Sequence, residues 1–174
     1  MARSHYRGET VPASPTVTSR LGASGAPYKD TEIGKFVKIG TLDSQHVLCA
    51  VGDLIDGYVV GVEAATANGF GIGSVQRKDA KYVTFDGSQA AGTGAIALGD
   101  YVVCGTPVAL GTGLNGVYAK VRKATIQPGV TAAAAVADVA PMLAMTPYLW
   151  RVVSLGSVGT GAVGTTGLIE RAVN

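Results

Sequence analysis

The feature that most constrains this chain is a succession of short apolar runs that never sustain a helical period. From residue 33 onward the runs are rich in Val, Ile and Tyr, and Gly, Asp, Asn and Pro separate them. In order they read GKFVKIGTL, HVLCAV, YVVGVEA, GIGSVQ, KYVTFDG, AIAL, DYVVCG, VYAKVRKA, LWRVVSL and GLIERAV. Many short strands with turn residues between them are typical of a β-sandwich or a small β-barrel. The sequence therefore predicts an all-β protein.

Two segments depart from this pattern. Residues 1–32 contain three prolines and no sustained period, so they cannot bury enough apolar surface to order themselves. They are predicted to be either a disordered tail or an extended arm that orders on a partner, which divides the chain into an arm at 1–32 and a β-rich domain at 33–174. The second segment is TAAAAVADVA at 131–140, which is predicted as a short helix begun by Thr131 and ended by Pro141, or as an alanine-rich surface loop.

The stretch GFGIG raises the question of a phosphate-binding loop, because Gly69, Gly71 and Gly73 occupy alternate positions. A dinucleotide loop needs G-x-G-x-x-G between a strand and a helix, but here the third glycine comes one residue early and SVQRKDAKYVTFDG follows without helical period. Glycines at alternate positions of a strand share one face, and a face without side chains permits close approach of another backbone. The glycines thus predict tight packing or a contact between subunits.

The closest approach to a catalytic cluster in the sequence is His46, Cys49 and Asp53 in HVLCAVGD. Residues three apart in a strand point to opposite faces, so His46 and Cys49 could meet only across a bend, and the favoured interpretation is a strand with a buried thiol. Cys49 and Cys104 are expected to be two buried free thiols, with a disulfide as the alternative. Two His and two Cys at these spacings make no metal signature, so neither a metal nor a cofactor is predicted.

Charged residues give no clear sign of a partner. The net charge is only +2, and the strand VYAKVRKA places Tyr118, Lys120 and Arg122 on one face, where a solvated surface is favoured over contact with nucleic acid. The carboxylates are scattered singly, and turn roles are expected for most of them: Asp43, Asp53, Asp56, Asp79, Asp86 and Asp100. The longest apolar run is broken by Asp138 and Pro141 and is too short to cross a bilayer. These observations predict a soluble protein made in the cytoplasm and in no contact with a membrane.

A faint internal echo links AVGDLIDGYVVGVEA at 50–64 to ALGDYVVCGTPVAL at 97–110. In each segment a Gly-Asp pair, which suits a tight turn, leads into a Val-rich run. The echo is compatible with a pseudo-repeated barrel and also with coincidence.

Together, the polar arm, the Gly- and Ala-rich β pattern, the turns in VGDLIDGYVVGV and ALGDYVVCGT, and the closing LWRVVSLGSVGTGAVGTTGLIERAV resemble the head decoration, or cement, proteins of tailed bacteriophages. The resemblance implies a β-barrel or β-tulip-like fold, often trimeric, that clamps neighbouring subunits of the major capsid protein on the outside of the virion. It implies neither catalysis nor a cofactor.

On this interpretation the arm contacts the capsid, with Arg3, Tyr6, Arg7, Arg20 and Tyr28 as candidate contact residues, and the glycines at 69, 71 and 73 help to build the oligomer. The alternatives are another virion β module, from the tail or baseplate, and a carbohydrate-binding β-barrel. An enzyme of an unfamiliar all-β type is the least favoured.

Overall fold

A computed structural model of the chain describes residues 16–23, 25–63, 69, 71–88, 94–108, 118–124 and 150–171. The described part is all-β, as the sequence predicted, apart from a 3-10 helix at Asp30–Glu32. The strands are β1 Thr16–Ala23, β2 Ala26–Pro27, β3 Phe36–Ile39, β4 Gln45–Leu48, β5 Gly57–Glu63, β6 Gly71–Gln76, β7 Lys81–Ser88, β8 Tyr101–Cys104, β9 Lys120–Lys123, β10 Trp150–Ser154 and β11 Thr166–Arg171.

The strands close into two five-stranded barrels. In the first barrel the order around the wall is β1, β4, β3, β5 and β6, and β6 pairs back onto β1. In the second barrel the order is β7, β9, β8, β10 and β11, and β11 pairs back onto β7. Each barrel has one parallel pair, β1 with β4 and β7 with β9, and its other pairs are antiparallel. Each wall strand therefore pairs with a neighbour on both sides, and the short β2 pairs with the end of β1 outside the barrel order.

The two barrels repeat the same architecture in the same chain order, so that β1, β3, β4, β5 and β6 correspond to β7, β8, β9, β10 and β11. The repeat extends to single hydrogen bonds: the Gly34 amide donates to the Val59 carbonyl at 2.7 Å, and the Gly99 amide donates to the Val152 carbonyl at 2.9 Å. Each of these valines is followed by the same irregularity in strand pairing, a β-bulge. The fold is therefore a duplicated barrel.

The similar segments at 50–64 and 97–110 do not occupy equivalent places in the two barrels, although their turns have the same geometry. The Asp53 carboxylate accepts the Ala50 amide, and the Asp100 carboxylate accepts the Ala97 amide, both at 2.7 Å. Gly52 and Gly99 both have φ near +85°, in the left-handed region that glycine tolerates. However, the first turn precedes β5 and the second precedes β8, which are not equivalent strands.

A continuous core joins the barrels. Trp150, which begins β10, is fully buried, its indole N–H donates to the Ile55 carbonyl at 3.1 Å, and its ring meets the edge of Tyr58 from the first barrel. Phe36 of the first barrel and Phe85 of the second belong to this same apolar cluster. A smaller cluster fills the first barrel with Leu21, Val37, Val59 and Val75. Because the larger cluster draws on both barrels, we expect them to unfold together.

Part of the segment predicted as an arm belongs to the first barrel. Residues 1–15 lie outside the described residues, but Thr16–Ala23 is β1, which pairs with β6 over six residues and in parallel with β4. Its sequence TVTSRLGA does not alternate cleanly because the buried Ser19 takes a position that an apolar residue would mark. The helix predicted at 131–140 also lies outside the described residues.

Candidate functional site

The structure does not bring His46, Cys49 and Asp53 together. His46 lies in β4, where its ring is held by residues absent from that prediction. The Asp53 carboxylate closes its turn and pairs with the Lys38 ammonium at 2.7 Å. Cys49 and Cys104 are free and buried, which confirms the prediction for both thiols.

His46 instead belongs to a buried polar network, which we call the Asp56 cluster and which consists of Ser19, His46, Asp56, Arg77 and Arg171. The His46 ring lies 2.8 Å from the Ser19 hydroxyl through Nδ1 and 2.8 Å from Asp56 Oδ2 through Nε2. The other carboxylate oxygen, Oδ1, lies 2.9 Å from an Arg77 Nη atom and 3.6 Å from one of Arg171. Asp56 was expected to serve a turn, but it is only 4% exposed and joins four segments of the chain.

The electrostatics of Asp56 favour its charged form. Burial alone would raise the pKa of the carboxyl group, but the hydrogen bond from His46 and the charge of Arg77 outweigh this effect, and the pKa lies below its ordinary value. A buried carboxylate is tolerated only when paired and hydrogen-bonded, and here both oxygens have partners. The cluster is thus an ionic contact between the barrels.

The two arginines of the cluster come from equivalent places in the repeat. Arg77 follows β6 in GSVQR, and Arg171 ends β11 in GLIER. In addition, Arg171 Nη1 donates to the Arg77 carbonyl at 3.2 Å. The shared pattern G-x-x-x-R is the one local signal in the sequence that could have revealed both the duplication and the cluster.

The Ser19–His46–Asp56 chain has the residue types of a hydrolase triad but a different arrangement. In such triads the serine hydroxyl faces Nε2, the carboxylate faces Nδ1, and the hydroxyl oxygen is open to a substrate carbonyl. Here the two ring nitrogens have the opposite partners, and Ser19 is 5% exposed in a strand paired on both sides. The geometry therefore supports cross-linking of the fold by hydrogen bonds rather than attack on a substrate.

A second network is centred on Asp86 and accounts for the basic strand. The Asp86 carboxylate accepts the amide and hydroxyl of Thr106 at 2.9 and 2.7 Å, pairs with the Arg122 guanidinium at 3.0 Å and lies 3.6 Å from the Lys120 ammonium. Although burial opposes it, these contacts lower the pKa of Asp86 to about 2. Like Asp56, Asp86 has an ion-pairing role in place of the expected turn role. Both cations of the basic face thus have an ion-pair partner within the chain, although they share a single carboxylate.

Tyr118, the third residue of that face, stacks on Tyr82. The ring centroids are 5.8 Å apart, and both rings reach solvent, with Tyr82 60% and Tyr118 37% exposed. The single Trp is fully buried at position 150 and cannot serve as a surface platform.

The glycine stretch GFGIG leads into β6 and forms the beginning of that strand. Gly69 precedes β6 with φ of +76°, and Gly71 and Gly73 are buried in β6. A Cβ added at Gly73 would lie 2.2 Å from the Gly61 carbonyl oxygen and 2.4 Å from Leu21 Cδ1. Close packing is therefore confirmed for Gly73, whereas the subunit contact of Gly69, Gly71 and Gly73 stays a prediction.

The proposed capsid-contact residues divide into two groups. Arg3, Tyr6 and Arg7 lie outside the described residues. Arg20 is exposed on β1, whereas Tyr28 packs against the core of the first barrel and its hydroxyl accepts the Leu48 amide.

A partly open pocket of about 140 Å³ lies where the barrels meet. Its wall includes Lys35, Phe36, Cys49, Cys104, Ala119 and Lys120. Among the described residues, no group of three or more His, Cys, Asp or Glu side chains could hold a metal ion. The same residues contain no helix long and apolar enough to cross a membrane.

Comparison with known proteins finds no match: no family model, no curated protein and no solved structure is similar to this chain. The chain is thus defined by its own architecture, a duplicated five-stranded barrel with an ionic cluster between the copies.

Proposed function

We propose that this protein is a structural component of a tailed-phage virion that binds the outside of the major capsid protein lattice and stabilises the head. The sequence resemblance suggests this role, and the observation that carries it furthest is the closed double barrel. The resemblance implies a β-barrel or β-tulip-like fold, and the described residues are all-β in two closed barrels.

The architecture suits a clamp for a physical reason. The barrels are fastened to each other by a common core and by the Asp56 cluster, so their surfaces keep a fixed spacing. A body with several separated contact points multiplies weak attachments into strong binding, which is what decoration of a repeating shell requires. Closed walls also protect an abundant surface protein from edge-to-edge aggregation.

Two surfaces are candidates for the shell contact. The first is the N-terminal arm with Arg3, Tyr6 and Arg7, continued by the exposed Arg20 on β1. The second is an apolar patch on two loops of the second barrel, where Leu98, Val158 and Val163 are 52–63% exposed. These loops are joined by the Ile96 amide, which donates to the Gly161 carbonyl at 2.9 Å.

The first experiment is quantitative mass spectrometry of purified particles from the source of this gene. We expect a copy number equal to that of the most abundant shell protein or to a simple fraction of it. A handful of copies would indicate a tail or vertex component, and absence from particles would refute the virion role.

A deletion tests the arm separately. Because β1 closes the first barrel, removing residues 1–28 would take away a wall strand together with the arm, so the informative truncation removes residues 1–15. We expect the truncated protein to keep the thermal midpoint of the full chain and to lose co-sedimentation with undecorated shells. A Leu98→Ser variant of the full chain tests the apolar patch in the same assay. Unchanged loading of both variants would refute both contacts.

Oligomerisation, with a trimer favoured, is part of the proposal and can be measured by sedimentation equilibrium. In that experiment Gly71 and Gly73 are poor sites for disrupting an interface, because they pack inside the first barrel.

Carbohydrate binding is the second candidate, and the Tyr82–Tyr118 pair favours it. Sugars pack their C–H faces on exposed aromatic rings, and Tyr82 of β7 and Tyr118 before β9, with ring centroids 5.8 Å apart, offer such rings at the surface of the second barrel. A glycan array should then give hits that Tyr82→Ala abolishes and that Val60→Ala, a change at an exposed residue of the other barrel, leaves intact. An array without hits would remove this candidate.

A further inference from the structure

Two cysteines from different barrels meet at the pocket between them. Cys49 follows β4 in the first barrel, and Cys104 ends β8 in the second. Both residues line the pocket of about 140 Å³, whose opening gives small molecules a route to otherwise buried thiols. Reactivity of a cysteine requires such access, because a thiol sealed in a core is inert.

The backbone holds the two thiols close to each other. The Gly52 amide donates to the Cys104 carbonyl at 2.8 Å, and the Cys104 amide donates to the Asp53 carbonyl at 3.0 Å. The Cys104 sulfur lies 3.9 Å from the Cys49 carbonyl oxygen. Hydrogen bonding to the Cys104 thiol, together with burial, raises the pKa of Cys49. The Cys104 sulfur thus lies beside the backbone of Cys49, and both residues belong to the core cluster that joins the two closed barrels.

We propose that Cys49 and Cys104 form an oxidisable dithiol that a low-molecular-weight disulfide, such as oxidised glutathione, converts into a covalent link between the barrels. The thiolate of one cysteine attacks the small disulfide, which forms a mixed disulfide and releases one reduced small thiol. The thiolate of the other cysteine then attacks the protein sulfur and releases the second. Both protein sulfurs are oxidised, the reagent is reduced, and the two protons end on the released thiols.

The link changes stability because it closes a long loop. Residues 49 and 104 are 55 positions apart, and constraining a loop of this length in the unfolded chain raises the thermal midpoint by roughly 10 °C. Glutathione and thioredoxin would keep the pair reduced in a cytoplasm, and oxidation would follow release into an oxidising medium. The proposal does not depend on the virion role.

The test uses the full chain, reduced and then incubated with oxidised glutathione at neutral pH. Remaining thiols are blocked with an alkylating reagent, and the intact mass is measured. We expect a monomer lighter by two hydrogens, with neither cysteine alkylated, a thermal midpoint raised by roughly 10 °C, and full reversal by dithiothreitol. Peptide mapping should place the link between residues 49 and 104.

Cys49→Ser and Cys104→Ser are the matched controls, and each should stop at a mixed disulfide without a gain in thermal midpoint. The wild-type measurement stands on its own if a variant fails to fold. The proposal is overturned if both native thiols remain alkylatable after prolonged exposure while the denatured chain is oxidised by the same reagent. It is also overturned if glutathione stays attached to both cysteines, or if the link forms between chains.

Discussion

Gly73→Ala is the sharpest test of how the first barrel closes. The added methyl group would lie 2.2 Å from the Gly61 carbonyl oxygen and 2.4 Å from Leu21 Cδ1, which is roughly 1 Å or more inside van der Waals contact. The oxygen belongs to the backbone of β5 and the leucine is fully buried, so neither can move without disturbing the wall or the core. Overpacking costs about 1–3 kcal/mol, and a weakened ladder hydrogen bond costs about 1 kcal/mol more.

Replacing glycine also stabilises through the unfolded chain, by about 0.4–1 kcal/mol, so the expected net loss is about 2–3 kcal/mol. Urea denaturation followed by fluorescence of the buried Trp150 should show a midpoint lower by roughly 1 M, with an unchanged slope. Gly61→Ala is the matched control, because an added Cβ there meets nothing within 4 Å, and we expect a change within about 0.5 kcal/mol. Equal midpoints for the two variants would refute the close-packing explanation of the glycine stretch.

Further predictions concern the buried charges, each followed by the urea midpoint. Asp56→Asn should cost about 2–5 kcal/mol because it leaves the partly buried Arg77 and Arg171 guanidinium groups without the carboxylate they share, and a loss below about 1 kcal/mol would contradict the ionic role of the cluster. Asp86 has a folded pKa of about 2, below the ordinary value near 3.9, so its ionised form stabilises the folded protein above about pH 4. This contribution to the free energy of unfolding is lost as the pH falls toward 2, and Asp86→Asn should flatten the dependence of stability on pH in that range. Burial lowers the pKa of Lys81 to about 8, so the unfolded chain binds more protons between about pH 8 and 10, and stability should rise with pH there in the wild type and not in Lys81→Met.

The all-β class was predictable because the residues that carry it act locally. Short runs such as YVVGVEA and DYVVCG are β5 and β8 with their turns, and the Gly-Asp pairs before them adopt the geometry that the residue types favour. The segment at 16–23 was assigned to the arm because its surroundings are rich in Ser, Thr, Gly and Pro. Its strand character comes from pairing with β4 and β6, which are distant in sequence.

The Asp56 cluster could not be predicted in the same way, because barrel closure brings its members together. His46 bridges Ser19 and Asp56 in the first barrel. Arg171, at the end of the last strand of the second barrel, lies beside the same carboxylate. The sequence neighbours of His46 with reactive side chains are Cys49 and Asp53, and neither of them belongs to the cluster. The duplication could not be predicted from the sequence for a related reason. Equivalent positions in the two barrel walls have different side chains, so the sequence shows little internal similarity.

The comparison of equivalent positions also explains why the first barrel contains a serine and a histidine in its interior. In the parallel pair of the first barrel Leu21 lies opposite His46, and in that of the second barrel Phe85 lies opposite Val121. His46 is therefore equivalent to Val121. Two residues earlier in β1 and β7, Ser19 is equivalent to Val83. The difference follows from a single buried charge between the copies. The arginines approach one oxygen of Asp56 and leave the other to be satisfied, and His46 does so with one ring nitrogen.

The second ring nitrogen of His46 then needs a partner inside the barrel, which the Ser19 hydroxyl provides. Each polar residue is thus required by the previous one, because an unpaired buried polar group costs about 1–3 kcal/mol. The second barrel has no buried carboxylate facing Val83 and Val121 among its described residues, and its interior is apolar at these positions. The Ser-His-Asp chain is accounted for by this sequence of hydrogen-bond requirements, and it needs no substrate to explain it.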